Sequence, residues 1–164
     1  MIKEKILLRA LFKNTLFFLL TAFLFSCAAG KRIKNQKVDQ VIHASRTYIG
    51  TPYKYGGTTR SGMDCSGLLM VSFKSIDMEI PRTSADQSKY GKGVRMEELQ
   101  PGDLVFFAAG KSRRKITHVG LVTEVRGRKD VRFIHASTKL GVVENNLYSD
   151  YYKKIFVKAR RPLW

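Results

Sequence analysis

Apolar positions follow three different patterns along this chain. Leu16 to Phe25 form a nearly unbroken apolar run behind a polar start. Val38, Val41, Ile42, Ser45, Tyr48 and Ile49 then recur at helical spacing, with Asp39 near the start and Gly50 at the stop. Thr51-Pro52 breaks that helix, and Tyr53 to Met63 reads as a turn-rich loop. A second helix is expected from Cys65 to about Ile76, where Leu68, Leu69, Met70, Val71 and Phe73 are dense enough to be mostly buried. Asp64 stands where it would cap that helix. Beyond Pro81 the pattern becomes β-like. Leu104 to Phe107, Val119 to Thr123 and Arg132 to His135 are short β-rich runs, and Arg126 to Asp130 is a hairpin tip between two of them. Val142-Val143 and Ile155-Phe156-Val157 can supply further strands. Helices first and an antiparallel sheet afterwards predict an α+β domain.

The first apolar run is too short to span a bilayer comfortably, and Lys3, Lys5, Arg9 and Lys13 precede it. It closes on Leu24-Phe25-Ser26-Cys27, which resembles the lipobox of bacterial lipoproteins. That resemblance implies a signal peptide over 1–26, cleavage before Cys27 and acylation of its thiol and new amino group. An uncleaved anchor helix or an ordinary signal peptide are the alternatives. Residues 27–37 then read as a lipid-anchored tether and 38–164 as the working domain. Ala28 is not acidic, which by analogy with enterobacterial sorting favours the outer membrane. On each of these readings the domain leaves the cytoplasm and faces the periplasm.

The formal charge of +17 would fall to +14 once four of the 30 Lys/Arg and one of the 13 Asp/Glu leave with residues 1–26. The remaining 138 residues suit a single core. The basic groups, Lys31 to Lys34, Lys111 to Lys115, Arg126 to Lys129 and Lys153 to Arg161, are scattered and read as a solvated surface near the envelope. Export and the lack of an aromatic-interleaved basic motif speak against a nucleic-acid partner.

Charge and export sharpen the meaning of the two cysteines. If Cys27 carries lipid, Cys65 has no disulfide partner within the chain, and a lone exported thiol is either buried or used. Cys65 opens a helix directly after the turn Tyr55-Gly56-Gly57. The positive end of a helix dipole favours thiolate, the form that attacks carbonyl carbon. His118 and His135 lie on β-like segments downstream, and one thiol with two imidazoles is the parts list of a cysteine hydrolase. His118 would take the thiol proton and return it to a leaving amine. His135 fits the third role, orienting the His118 ring. Such chemistry needs no metal and no cofactor. Asp64 beside the nucleophile would by itself disfavour thiolate, which points to another job, and His43 receives no role.

Several motifs in order extend this reading. Gly50-Thr51-Pro52-Tyr53-Lys54-Tyr55-Gly56-Gly57 is followed by Asp64-Cys65-Ser66-Gly67, then Pro81-Arg82-Thr83-Ser84 with Gln87, Pro101-Gly102-Asp103-Leu104-Val105-Phe106-Phe107, and His118-Val119-Gly120. Over about residues 38 to 163 the chain resembles the NlpC family of cell-wall cysteine peptidases. The resemblance implies a papain-like α+β fold and hydrolysis of amide bonds in peptidoglycan stem peptides. It implies that Tyr53 lines the active site and assists the oxyanion, and that Asp64 and Ser66 hold a polar or amino group of the stem peptide, although helix capping explains Asp64 equally well. Arg82, Thr83, Ser84 and Gln87 would be structural or substrate-facing. The crosslink between D-alanine and diaminopimelate is favoured over the γ-D-glutamyl–diamino acid bond. The basic stretch Ala108 to Lys115 departs from the family pattern and is either an overhang on the cleft or an idle loop. A non-catalytic wall-binding lipoprotein on the same fold, or a thiol acyltransferase with the same machinery, are the competing functions. A regulatory adaptor or protease is left open.

Overall fold

A computed structural model describes residues 30–110 and 115–164. The apolar run at Leu16 to Phe25, the cleavage position, Cys27 and most of the basic stretch at 111–114 lie outside the described residues. The chain divides into two units, Met1–Gln36 and Lys37–Trp164. Residues 30–46 are helical (α1), so the segment expected to be a tether is already helix from residue 30. Lys31, Arg32, Lys34, Gln36 and Lys37 explain this, because straight-chain residues lose little side-chain freedom in a helix. Among the described residues no helix is long and apolar enough to cross a membrane.

In the second unit, Val38, Val41, Ile42 and Ser45 form the buried stripe of α1. Ile49 was expected to continue it but is 54 % exposed. The helix ends at residue 46, and the chain turns through Gly50 at a φ of +86°, which rotates Ile49 out of register. A small hairpin follows, β1 (Thr58–Thr59) with β2 (Gly62–Met63). It leads into α2 (Cys65–Phe73), shorter than expected because the last turn tightens into a 3₁₀ segment, Lys74–Ile76. A one-turn helix, α3 (Ser84–Gln87), precedes the sheet.

The sheet contains β3 (Lys92–Val94), β4 (Leu104–Phe107), β5 (His118–Gly127), β6 (Asp130–Ser137), β7 (Gly141–Asn146) and β8 (Phe156–Arg161) in the order β3-β8-β4-β5-β6-β7. Every pairing is antiparallel. The hairpin expected at Arg126 to Asp130 closes β5 onto β6, with Gly127 opposite Asp130. Ile155 was expected in a strand, but it ends a short helix, α4 (Asp150–Ile155), that crosses back before β8.

Side-chain alternation sends the strands into two cores. Leu104, Phe106, Val119, Leu121, Ile134, Ala136 and Val142 pack with Leu68, Leu69 and Phe73 of α2 and with the α1 stripe. Val105, Phe107, Val122, Val131 and Phe133 pack on the other face with Leu147, Tyr152 and Ile155. Both faces are covered, which is why Leu104 to Phe107 is continuously apolar rather than alternating. Phe107 lies 5.9 Å from the His118 ring and Phe133 stacks on His135 at 4.9 Å, so the second core also supports the histidines.

Gly120 shows how tight that support is. A Cβ there would stand 2.5 Å from the ring of Phe133 and 3.0 Å from the carbonyl of Ile134. Gly120→Ala should cost about 1–3 kcal/mol in urea unfolding. Unchanged stability would show that Phe133 moves freely.

Candidate active site

Helix α2 begins at Cys65 because Asp64 caps it. The Asp64 carboxylate accepts the Gly67 N–H at 2.6 Å and the Ser66 hydroxyl at 3.0 Å through Oδ1, and the Gly56 N–H at 2.8 Å through Oδ2. Arg82 closes the cluster: its guanidinium donates at 3.0 Å to Oδ1 and 2.7 Å to Oδ2 of Asp64, and at 2.9 Å to the Ser66 hydroxyl. Gln87 donates through Nε2 to the carbonyls of Ser66 and Pro81 at 3.1 and 2.8 Å, so the Arg82–Gln87 motif braces the first turn of α2. A side chain at Gly67 would collide with the Gly57 carbonyl at 2.3 Å, and one at Gly57 with the Gly62 carbonyl at 2.3 Å, which explains the glycines on both sides of the junction. Burial pushes the Asp64 carboxyl upward, but Arg82, the Gly67 N–H and Ser66 outweigh it and hold Asp64 below its ordinary value.

These contacts set Cys65 at the end of β5. It is 6 % exposed, and the N–H groups of Val119, Ser66 and Cys65 itself are directed at its sulfur. Burial nevertheless pushes the thiol up to about 11, with the Asp64 charge adding to the rise. The His118 imidazole, half-buried, is pushed by burial and by neighbouring His135 down to about 3. The helix terminus was expected to favour thiolate; desolvation pulls the other way and favours the neutral thiol and the neutral imidazole. Alkylation of Cys65 by iodoacetamide should therefore keep rising through about pH 9 with no plateau near pH 5–7. An acidic plateau would instead reveal a preformed thiolate.

His118 Nε2 and His135 Nδ1 are 2.8 Å apart, with the rings at 88°. His135 is 2 % exposed, and its other nitrogen, Nε2, meets Asn145 Oδ1 at 2.9 Å and the Tyr152 hydroxyl at 3.1 Å. The Tyr152 hydroxyl donates to the same Asn145 oxygen at 3.1 Å. Burial keeps the Tyr152 phenol protonated and lowers His135, while the Asn145 contact raises His135 slightly. The sequence reading missed Asn145 and Tyr152. Glu144-Asn145-Asn146 looks like a polar strand end, and only the register that sets Asn145 opposite Phe133, two residues from His135, reveals it.

Two cavities meet at this point. One, of 350 Å³, is lined by Cys65, Ser66, Asp64, Arg82 and Tyr55 among others; the second, of 570 Å³, by His118, His135, Lys139, Tyr151 and Tyr152 among others. Tyr53 and Thr117 border both. Tyr53 bridges to Met63 and packs on the first core, and burial together with the nearby Cys65 and Asp64 raises its phenol. The structure thus brings together Cys65, His118, His135, Tyr53, Asp64 and Ser66, and leaves His43 exposed on α1.

The chain is similar to several known proteins. "Probable endopeptidase NlpC" of Escherichia coli strain K12 is 41% identical over 117 residues, 71% of this chain and 72% of that protein. "Murein DD-endopeptidase MepS/Murein LD-carboxypeptidase" of the same strain is 36% identical over 132 residues, 80% of this chain and 64% of that protein. Among solved structures, an NlpC/P60 family protein from Bacillus cereus superposes with a TM-score of 0.69 at 34% identity, covering 77% of this chain and 40% of that one. With its α+β architecture, and with the NlpC/P60 family pattern matching residues 50–161, the chain belongs to the NlpC/P60 family.

Proposed function

We propose that this protein is a lipid-anchored peptidoglycan hydrolase that cuts amide bonds of stem peptides through an acyl-enzyme on Cys65. The observation that carries the reading is a thiol at a helix start set against the N–H of Val119, the residue after His118, with His118 Nε2 2.8 Å from His135 Nδ1. His118 spends Nε2 on His135, so Nδ1 is the nitrogen available to the thiol. As sulfur attacks the carbonyl carbon, His118 takes the thiol proton at Nδ1, because the resting thiol is neutral. The oxyanion is met by the Cys65 N–H, a first-turn donor with no carbonyl partner inside the helix, and by the Tyr53 hydroxyl. Collapse breaks the C–N bond, His118 gives its proton to the departing nitrogen, and a thioester remains. Water, deprotonated by the same imidazole, then releases the acid and restores the thiol.

Proton return fixes the direction of the substrate. The amine side must lie beside His118 and the acyl side beside Cys65, Ser66 and Asp64. Among the described residues lining the amine-side cavity, Lys139 is the one fixed charge and none is acidic. In a D-alanyl–diaminopimelate crosslink the carbon bearing the leaving nitrogen also carries a free carboxylate. In the γ-D-glutamyl bond that carboxyl can be tied up in the next amide. Lys139 suits the crosslink, and the murein DD-endopeptidase relative points the same way. Lys139→Met should raise KM for a crosslinked muropeptide about threefold to fivefold with little change in kcat.

Incubation of wild type and Cys65→Ser with defined crosslinked muropeptides, followed by product masses, tests the function. Monomers from wild type alone support it. Shortened stems with intact crosslinks would overturn the bond choice, and equal turnover by Cys65→Ser would overturn the mechanism. Anchoring through Cys27 in the outer membrane predicts incorporation of a labelled fatty acid that Cys27→Ser abolishes.

A further inference from the structure

We infer that Asn145 and Tyr152 form a positioning pair that fixes the tautomer of both histidines and so decides whether His118 can act as a base. The inference rests on the proposed role of His118 and extends the relay two residues further.

A neutral imidazole carries one proton and must place it on one of two nitrogens. An amide oxygen can only accept. With Asn145 Oδ1 at 2.9 Å, the proton of His135 therefore sits on Nε2. His135 Nδ1 is left with a lone pair, and at 2.8 Å it can be satisfied only by a proton on His118 Nε2. His118 Nδ1 is then bare, which is the state needed to receive the thiol proton. Reversing the Asn145 amide would reverse every step: His135 would donate through Nδ1, His118 would accept at Nε2, and its remaining proton would block Nδ1.

Tyr152 reinforces one orientation. Its hydroxyl donates to the same amide oxygen at 3.1 Å, so that oxygen lies between two donors. The ring of Tyr152 is held edge-on against Phe133 at 4.8 Å and His135 at 5.4 Å, so α4 delivers the hydroxyl from a packed position. Asn145 belongs to β7, the last strand of the sheet, and Tyr152 to the helix after it. The pair thus ties the sheet edge to the active site.

The test combines ¹⁵N NMR of the histidine rings with steady-state kinetics on a crosslinked muropeptide. Wild type should show both rings protonated at Nε2. Asn145→Leu should give mixed tautomers and lower kcat about tenfold to a hundredfold, with KM within about twofold, the scale on which partners one step removed from a working imidazole act. Asn145→Asp, an acceptor only, should keep the wild-type tautomers, restore most of kcat and move the acidic limb of the pH–rate profile upward. Tyr152→Phe preserves the packed ring and should show a smaller version of the Asn145→Leu effect. Wild-type tautomers in both Asn145→Leu and Tyr152→Phe would overturn the inference, as would a loss in Asn145→Asp equal to that in Asn145→Leu. If Asn145→Leu does not fold, the other two variants decide. The ring spectra need no substrate, so failure to cut muropeptides would sink the proposed function while leaving this inference to its own readout.

Discussion

Cys65→Ser and His118→Gln should each lower kcat on a crosslinked muropeptide by about ten-thousandfold, and the double variant should lose little more. The reason lies in the resting charges. Burial raises the thiol to about 11 and lowers the imidazole to about 3, so neither group is reactive alone near neutral pH. Sulfur attacks only while His118 removes its proton, so each group is of little use without the other. Serine keeps the shape but presents a hydroxyl that is harder to ionise. Tyr53, Arg82 and Lys139 still line the two cavities in these variants, so KM should stay within about threefold of wild type. Independent, multiplying losses from the two substitutions would show that thiol and imidazole do not act as a unit.

The outline of this molecule was visible in the sequence because its site is built at junctions marked by glycine and by a cap. Gly56-Gly57, Asp64 and Gly67 announce a tight loop feeding a helix, and the structure uses each of them at that junction. Strands β4, β5 and β6 were legible because both faces are buried and their apolar runs stand out. The reactive state of the thiol was not legible. A helix terminus is local and readable, whereas the desolvation that opposes it comes from burial of Cys65 in the folded core, which the Val119 N–H only partly offsets. Asn145 and Tyr152 were hidden for the same reason: strand register and the crossing of α4 bring them to His135 from positions 10 and 17 residues away. Ile155, the last residue of α4, was taken for the start of a strand, since a β-branched residue next to Phe156 and Val157 is as common there as in a helical turn.

Asp64→Ala should destabilise the domain by about 3 kcal/mol, lowering Tm by about 10 °C, and yet make Cys65 easier to ionise. The stability loss has two sources. The cap to Gly67 at 2.6 Å disappears, and Arg82, which spends its guanidinium on Asp64 and Ser66, loses its charge partner. The opposite effect on the thiol follows because the Asp64 charge is one of the influences holding Cys65 up. Asp64→Asn separates the two. Asparagine caps a helix as well as aspartate does, so this variant should recover about 1 kcal/mol of the loss while keeping the faster alkylation of Cys65 at fixed pH. The pH dependence has a fixed sign. Asp64 is held below its ordinary value in the fold, so its stabilisation is complete above about pH 4 and drains away as pH falls through the lowered folded value. Urea unfolding should therefore separate wild type from Asp64→Asn at neutral pH and bring the two together in strong acid. A constant gap across that range would mean that the cap, not the charge pair with Arg82, carries the stabilisation, and faster unfolding without faster alkylation would remove Asp64 from the control of the thiol.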